Sequence, residues 1–511
     1  MIDLAAFMGS IDLLTMSWEP WIVVPLGILI GLGFGMVPGL SIPIAMAVFL
    51  PFTLTFDFVT AILFLTAIFT GGTFGTAVPA ILMNVPGTAA SVATCFDGYP
   101  MSQKGQYSRA LGIALMASTI GTGFGYVLLF LLIDPISRAV LKLGPPELLV
   151  VAIFGLIMIA ALSEGHMLKG VITGAIGLLI GTIGISSLGL MRGTFGSPYL
   201  LDGIPAVPAL IGLFAASELS NLLGKDFLVP DTQRHKVRIA DIFAGMIEAL
   251  RQWRTMLFGG TVGVVIGAIP GVGAAIANLL SYDLTRRVAK DCSTFGKGEP
   301  KGLVAAESAN SSSEAGSMAT LLGLGLPGGG ATAVMVGAFA AHNVTGGPRF
   351  IADHKDIVYA IIIGNFVQVL LLVAIGVVFL RLCSNLVRVP VRYLVPAVLS
   401  LSALGSYALI GNIVGPITLV GATVLGFWMR MHRFPVTPMV IGILLGNMVE
   451  GEVLRSYQLG AGSFWYMFTR PVVLGLFAVF ALFVTYVSLR RTPEKAPSQE
   501  LNRIGASQNE L

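Results

Sequence analysis

Long apolar runs, interrupted by glycine and proline and separated by short polar stretches, dominate the chain. They lie near residues 21–53, 58–70, 108–133, 147–186, 204–223, 255–282, 356–383, 391–429, 435–449 and 471–489. A helix needs about 20 apolar residues to cross a hydrocarbon layer about 30 Å thick, and several of these runs are twice that length. The pattern predicts an all-α polytopic integral membrane protein of about 12 transmembrane segments. Pro38-Gly39 and Pro270-Gly271 fall inside two of the long runs. Proline lacks an amide proton and its ring clashes with the preceding turn, so each pair marks a half-helix junction or a re-entrant hairpin.

Composition sharpens the picture. The chain has 511 residues, 55% hydrophobic and only 11% charged, too few charges to cover a soluble surface. Its net charge of +4 comes from Lys and Arg gathered in a few short loops, as expected of cytoplasmic loops, and points to no nucleic acid. Cys95, Cys292 and Cys383 stand far apart and suggest neither disulfides nor a zinc site. No Lys or Arg precedes Lys104, so a cleaved signal peptide is not expected. The expected organisation is an extramembrane segment over 1–20, a first membrane unit over 21–224, a basic cytoplasmic loop over 225–254, a second unit over 255–385, further transmembrane helices over 386–489, and a disordered polar tail over 490–511.

The two units repeat in outline. GLGFGMVPGLS at 31–41 and GGTFGTAVPAILMNVPGTAAS at 71–91 are echoed by GAIPGVGAAIA at 267–277 and GSMATLLGLGLPGGGATA at 316–333. Each unit has a Pro-Gly inside an apolar run and, roughly fifty residues later, a small-residue segment with a second Pro-Gly, Pro86-Gly87 or Pro327-Gly328. Both second segments are expected to close at a turn, Gly98-Tyr99-Pro100 and Gly347-Pro348. The first unit is flanked by Asp3, Asp12, Glu19 and Asp57, the second by Arg238, Arg251, Arg254, Arg286, Arg287 and Lys297, which predicts opposite orientations in the membrane. Positive charge on both sides of 255–282 fits a hairpin that enters from the cytoplasm and turns at Pro270-Gly271.

Paired, Gly/Pro-broken segments in inverted repeats are the architecture of secondary transporters, whose sites lie where the repeats meet. A broken helix frees backbone groups in a dry place, which is tolerated only where they line a cavity or are buried in protein. Freed amides suit carboxylates and freed carbonyls suit Na⁺. The candidate solute residues are therefore Asn84, Pro86, Gly87, Thr88 and Ser91 in the first unit, with Asn310, Ser311, Pro327, Gly328, Gly329 and Thr332 in the second. Pro38, Gly39, Gly72, Thr73, Pro270, Gly271, Gly273 and Glu307 are candidates for ion binding or gating. Small residues in membrane helices also serve close packing, and Asn and Ser also bond between helices. Glu307 and Glu314 lie either in a solvated loop or inside the protein, where an ionisable group is costly. His342 is expected to be a hydrogen-bonded packing residue. GxSxG, HExxH and GxxxxGK[ST] motifs are missing, GLGFG and GTGFG are weak dinucleotide matches, and an Asp97–Glu307 pair is the only enzyme-like pairing. No enzyme and no cofactor is expected. A channel using the Gly-rich segments as a filter is the alternative to a carrier.

At these same residues the chain resembles the large membrane subunit of the tripartite tricarboxylate transporter family. The resemblance rests on GTAVPAILMNVPGTAASVATCFDGYPMSQKGQYSRALGIA at 75–114 and FGKGEPKGLVAAESANSSSEAGSMATLLGLGLPGGGATAVMVGAFAAHNVTGGPRF at 295–350, and covers most of residues 20–385. It implies a multi-pass permease of the bacterial inner membrane, driven by a Na⁺ or H⁺ gradient. It also implies a small four-helix membrane subunit, a periplasmic binding protein, and a di- or tricarboxylate solute such as citrate or a related organic acid. The chain departs from the family pattern at Ala306, Ser311, Gly329 and Gly346, and Gly329 removes one hydroxyl ligand, which weakens citrate in particular.

Overall fold

A computed structural model describes residues 3–37, 40–162, 167–186, 189–217, 237–270, 273–386, 391–478 and 481. Pro38, Gly39, Gly271 and the 490–511 tail lie outside the described residues, as do residues 225–236 of the expected 225–254 loop, whose remainder is described and largely helical.

The first half of the bundle contains α1 (Leu4–Thr15), α2 (Glu19–Met36), α3 (Ile42–Phe49), α4 (Phe58–Gly75), α5 (Ala77–Met83), α6 (Val92–Gln103) and α7 (Tyr107–Val140). Then come α8 (Pro145–Leu162), α9 (Met167–Gly181), a small antiparallel pair of strands, β1 (Gly184–Ile185) and β2 (Met191–Arg192), and α10 (Ala206–Leu210), which runs into a π-helical turn over Ile211–Ala216. The second half has α11 (Ile239–Arg251), α12 (Trp253–Gly267), α13 (Gly273–Val288), α14 (Pro300–Leu324), α15 (Gly330–Ala341), α16 (Pro348–Asp353) and α17 (Lys355–Leu386). Three helices follow, α18 (Val391–Ile410), α19 (Val414–Met431) and α20 (Val436–Leu459).

The chain is thus an all-α polytopic membrane protein. Among the described residues six stretches are long and apolar enough to cross a bilayer: α2, residues 58–83, α7, residues 355–382, α19 and α20. The remaining apolar runs fold as shorter helices, including α1, α3, α8, α9 and α15, because proline, glycine or polar residues interrupt them. α14 fails the apolar criterion for another reason. Every residue from Gly302 to Gly323 is buried, yet the helix carries Glu307, Glu314, Asn310, five serines and Thr320. It runs through the middle of the bundle between α7, α12 and α13.

One packing device occurs twice. On α2, Gly27, Gly31 and Gly35 recur at every fourth position and bring its backbone onto α4; a Cβ at Gly31 would lie 2.2 Å from the Ile68 carbonyl. On α12, Gly259, Gly263 and Gly267 do the same against α14, where a Cβ at Gly263 would lie 2.3 Å from the Ala309 carbonyl. Such small-xxx-small stripes draw membrane helices together through dispersion contacts, since lipid offers no hydrophobic drive between them. A side chain at either central glycine would force the pair apart. The partners correspond at one constant separation, Ala67 with Ser308 and Gly72 with Ser313, so α2–α4 and α12–α14 are the same local arrangement.

One expected turn is corrected. Gly98-Tyr99-Pro100 does not close its segment, for α6 continues to Gln103 with Pro100 inside it. Gly98 packs on Ile81 within the helix, where a Cβ would stand 2.7 Å from the isoleucine Cγ1, and the chain turns instead at Gly105 (φ +76°). Gly347-Pro348 does form its turn, at the start of α16.

Candidate functional site

The two Pro-Gly breaks fold alike. After α5, Asn84 adopts a left-handed conformation (φ +55°), which ends the helix and swings the chain back. Gly87 then rests on the helix it has just left, where a Cβ would lie 2.9 Å from the Thr76 Cα and from the Gly35 carbonyl. Thr88 starts the next turn: its amide donates to Ser91 Oγ (3.3 Å), and that hydroxyl donates back to the Thr88 carbonyl (3.0 Å). After α14, Gly325 (φ +70°) plays the part of Asn84, and Gly328 rests on Ser317, where a Cβ would lie 2.8 Å from the serine Cβ. Gly329 N–H donates to Thr332 Oγ1 (3.0 Å), and the threonine donates to the Gly329 carbonyl (3.1 Å). Asn84, Gly87, Thr88 and Ser91 therefore pair with Gly325, Gly328, Gly329 and Thr332 at a single sequence separation. The hydroxyls of Ser91 and Thr332 are spent on capping, so they orient the following amides. The first amides of a helix have no carbonyl four residues back to bond, which leaves those of Ala89–Ala90 and Gly330–Ala331 without intrahelical partners.

Other helix starts lie against these breaks. Pro43, in the first turn of α3, would meet a Cβ at Gly330 at 2.9 Å, and Ile42 packs on Gly72. Gly273 (φ +57°) begins α13 with the Gly328 carbonyl as its nearest neighbour, 4.0 Å from a built Cβ. Five residues on, Asn278 Oδ1 accepts from the Ala93 amide (2.9 Å) and its Nδ2 donates to the Ala306 carbonyl (3.0 Å), tying α13 to α6 and α14. Pro270 packs on Gly155 of α8, where a Cβ would meet the ring at 3.2 Å. The starts of α3, α6, α13 and α15 thus sit next to one another, each contributing the positive end of its dipole.

Glu307 and Glu314 lie in the protein interior, both fully buried on α14. Glu314 accepts from Thr70 Oγ1 of α4 (2.9 and 3.1 Å to its two oxygens) and from Tyr126 Oη of α7 (2.9 Å). Glu307 accepts from Thr94 of α6 and from Ser118 of α7 (3.0 Å). Asn310 Nδ2 donates to the Thr73 carbonyl (3.4 Å), and Thr73 Oγ1 donates to the Thr70 carbonyl (2.8 Å). Asn310 Oδ1 and Ser311 Oγ are buried without a hydrogen-bond partner. Asn310 and Ser311 are thus placed on α14 facing α4, separate from the two return loops that hold the other solute candidates.

Asp97 is buried midway along α6 and anchored, accepting from the amides of Gly296, Gly298 and Glu299 (2.8 Å each) and from Tyr282 Oη (2.9 Å). It latches the first half to the loop before α14, beside a cavity of about 540 Å³ lined by Phe96, Leu279, Tyr282, Asp283, Arg286, Phe295 and Gly296. Its bonds go to that loop and to Tyr282 of α13, and none joins it to Glu307. His342 contacts the Thr53 carbonyl through Nε2 (3.1 Å) and lies against the Phe58 ring, a packing role as expected. Among the described residues no group of three or more His, Cys, Asp or Glu side chains forms a metal-binding cluster.

Sequence reasoning missed Thr70, Tyr126, Thr94, Ser118 and Asn278, and weighed Glu314 beside Glu307 without placing it among the site candidates. For Glu314 a signal existed: it follows Glu307 by two helical turns and so shares its face. Tyr126 and Asn278 carry no such signal, because their roles come from helix crossings.

The pattern of the family described as the tripartite tricarboxylate transporter TctA family matches residues 22–441. A 52.8 kDa protein from the TAR-I ttuC' 3' region of Agrobacterium vitis is 30% identical over 454 residues, 89% of this chain and 90% of that protein. A second protein of the same organism, from the TAR-II ttuC' 3' region, is 28% identical over 231 residues, 45% of this chain and 96% of that protein. Both are described as uncharacterised. No solved structure matches.

Proposed function

The chain belongs to the tripartite tricarboxylate transporter TctA family, and from that premise we propose that it is the large permease subunit of a binding-protein-dependent carrier for a small di- or tricarboxylate. The observation that carries the reading is the pair of return loops, Asn84–Ser91 and Gly325–Thr332, built alike and each ending in a capped helix start. Amides at a helix N-terminus and the positive end of its dipole attract carboxylate, more strongly where water is excluded. Two such ends match a solute with at least two carboxylates. Gly87 and Gly328 let the backbone come close, Ser91 and Thr332 hold the amides in place, and Asn84, Thr88 and Gly329 line the approach.

The two units are inverted about an axis in the membrane plane, and rocking of one against the other exposes the loops to each side in turn. The end of the bundle bearing Lys104, Arg109, Arg251, Arg254 and Lys297 faces the cytoplasm of a bacterial inner membrane. A Na⁺ or H⁺ gradient drives uptake, a periplasmic binding protein delivers the solute, and a small four-helix membrane subunit completes the carrier.

The test is uptake of radiolabelled di- and tricarboxylates into vesicles containing this chain, its small subunit and its binding protein, with and without an imposed Na⁺ or H⁺ gradient. Saturable uptake that needs the binding protein and collapses with the gradient is expected. Passive, unsaturable flux would overturn the carrier in favour of a channel.

A further inference from the structure

We propose that the α4–α14 crossing holds a Na⁺ ion, bound by the Glu314 carboxylate, Asn310 Oδ1, Ser311 Oγ and Thr70 Oγ1, at a site separate from the solute loops. Residues 307, 310, 311 and 314 follow the i, i+3, i+4, i+7 spacing that puts side chains on one face of a helix, here the face toward α4 and α7.

Two observations on that face suit the binding of a cation. Glu314 is fully buried, and among the described residues it is surrounded by neutral groups only, the hydroxyls of Thr70 and Tyr126. An ionised carboxylate in such a place needs a counter-charge, and among the described residues no cationic side chain contacts it. Asn310 and Ser311, at most 1% exposed, each leave a side-chain oxygen without a partner one turn away. Unpartnered buried oxygens are uncommon and call for an explanation.

The repeat explains how these groups meet. At the constant separation that pairs Thr76 with Ser317 and Gly87 with Gly328, Thr70 pairs with Ser311 and Thr73 with Glu314. Thr70 faces Glu314 across the crossing. The two-fold relation then puts Ser311 opposite Thr73, and Asn310 beside it does reach the Thr73 carbonyl. Four oxygen-bearing positions therefore surround the point where α4 and α14 cross. One carboxylate among neutral oxygens suits a hard monovalent ion; a transition metal would need imidazole, thiolate or more carboxylates. Glu307 lies about 10 Å further along the helix, given about 1.5 Å of rise per residue, held by Thr94 and Ser118, with Asn310 between the two glutamates.

The site rests on the carrier reading for its purpose, as the seat of the coupling ion, but its occupancy is measurable without transport. ²²Na⁺ binding to the full-length protein in nanodiscs, with no solute, should be saturable in the wild type and fall to background in Glu314→Gln and in Ser311→Ala. The serine variant guards against misfolding, because its hydroxyl makes no hydrogen bond and its removal is otherwise neutral. Absence of saturable binding in the wild type at any pH from mildly acid to mildly alkaline, or binding retained in either variant, would overturn the proposal. Wild-type protein that binds ²²Na⁺ but moves no carboxylate with its partner proteins would remove the carrier reading and leave the ion site standing.

Discussion

The two return loops share a backbone plan and differ in their surroundings. Asn84, Val85 and Pro86 are exposed, and only Gly87 behind them is buried. In the second loop Leu326, Pro327 and Gly328 are all buried, with Pro43 of α3 and Phe214 of the π-helical turn standing over Gly330. One loop is open and its counterpart is covered. Two copies of one local motif thus differ in access within one conformation. The asymmetry arises from the elements around the loops, since the loops themselves match residue for residue in their turns and caps.

The largest expected effect comes from filling the contact behind each loop. Gly328→Leu and Gly87→Leu should both abolish carboxylate uptake in correctly inserted protein. They should differ in stability: overpacking costs about 1–3 kcal/mol where neighbours cannot move, so the covered Gly328 variant should melt lower than the Gly87 variant, whose exposed flank can shift. Thermal unfolding of the two purified variants checks this, and equal melting points would break the comparison.

Access itself is the next test. A cysteine at Asn84 should react rapidly with a membrane-impermeant maleimide in a single-cysteine background, and one at Pro327 should be protected. Saturating carboxylate should reduce labelling at Asn84. Equal reactivity at both positions would mean that the covering of the second loop by Pro43 and Phe214 is not a feature of the protein in its membrane.

Caps give a smaller effect. Removing a capping hydroxyl costs about 1 kcal/mol, so Ser91→Ala and Thr332→Ala should each weaken solute affinity by roughly fivefold, measured as the half-saturating concentration in uptake. A similar loss from both would support equal use of the two loops. The smallest change expected is from Gly329→Ser. A Cβ at Gly329 has nothing within 4 Å and the backbone there is extended, so the serine fits without strain and adds a hydroxyl where Thr88 stands in the first loop. Competition uptake should show a shift among carboxylates of about tenfold or less, in line with about 1 kcal/mol for one added hydrogen bond; an unchanged rank order would place position 329 outside the solute's reach.

Much of this was legible in the chain. Apolar runs gave the all-helical membrane class because a bilayer leaves the backbone few ways to satisfy itself. Pro86-Gly87 and Pro327-Gly328 marked the breaks because proline cannot continue a helix, whereas the sequence offered Ser91 and Thr332 only as solute contacts and the structure added their capping bonds. The one misread turn, Gly98-Tyr99-Pro100, shows the limit of the same logic. Its Gly and Pro residues are common turn formers, but the fit of Gly98 on Ile81 keeps the helix going.

The sequence by itself determined the membrane environment, the repeated order of elements and the local shape of each break, since all of these follow from short-range chemistry along the chain. Only the tertiary structure decided which loop is open, that a helix as polar as α14 is buried throughout, and that Glu314 meets Thr70 and Tyr126 across separations of 244 and 188 residues. Such contacts depend on where helices cross, and the crossings are set by how closely their glycine stripes let the backbones approach.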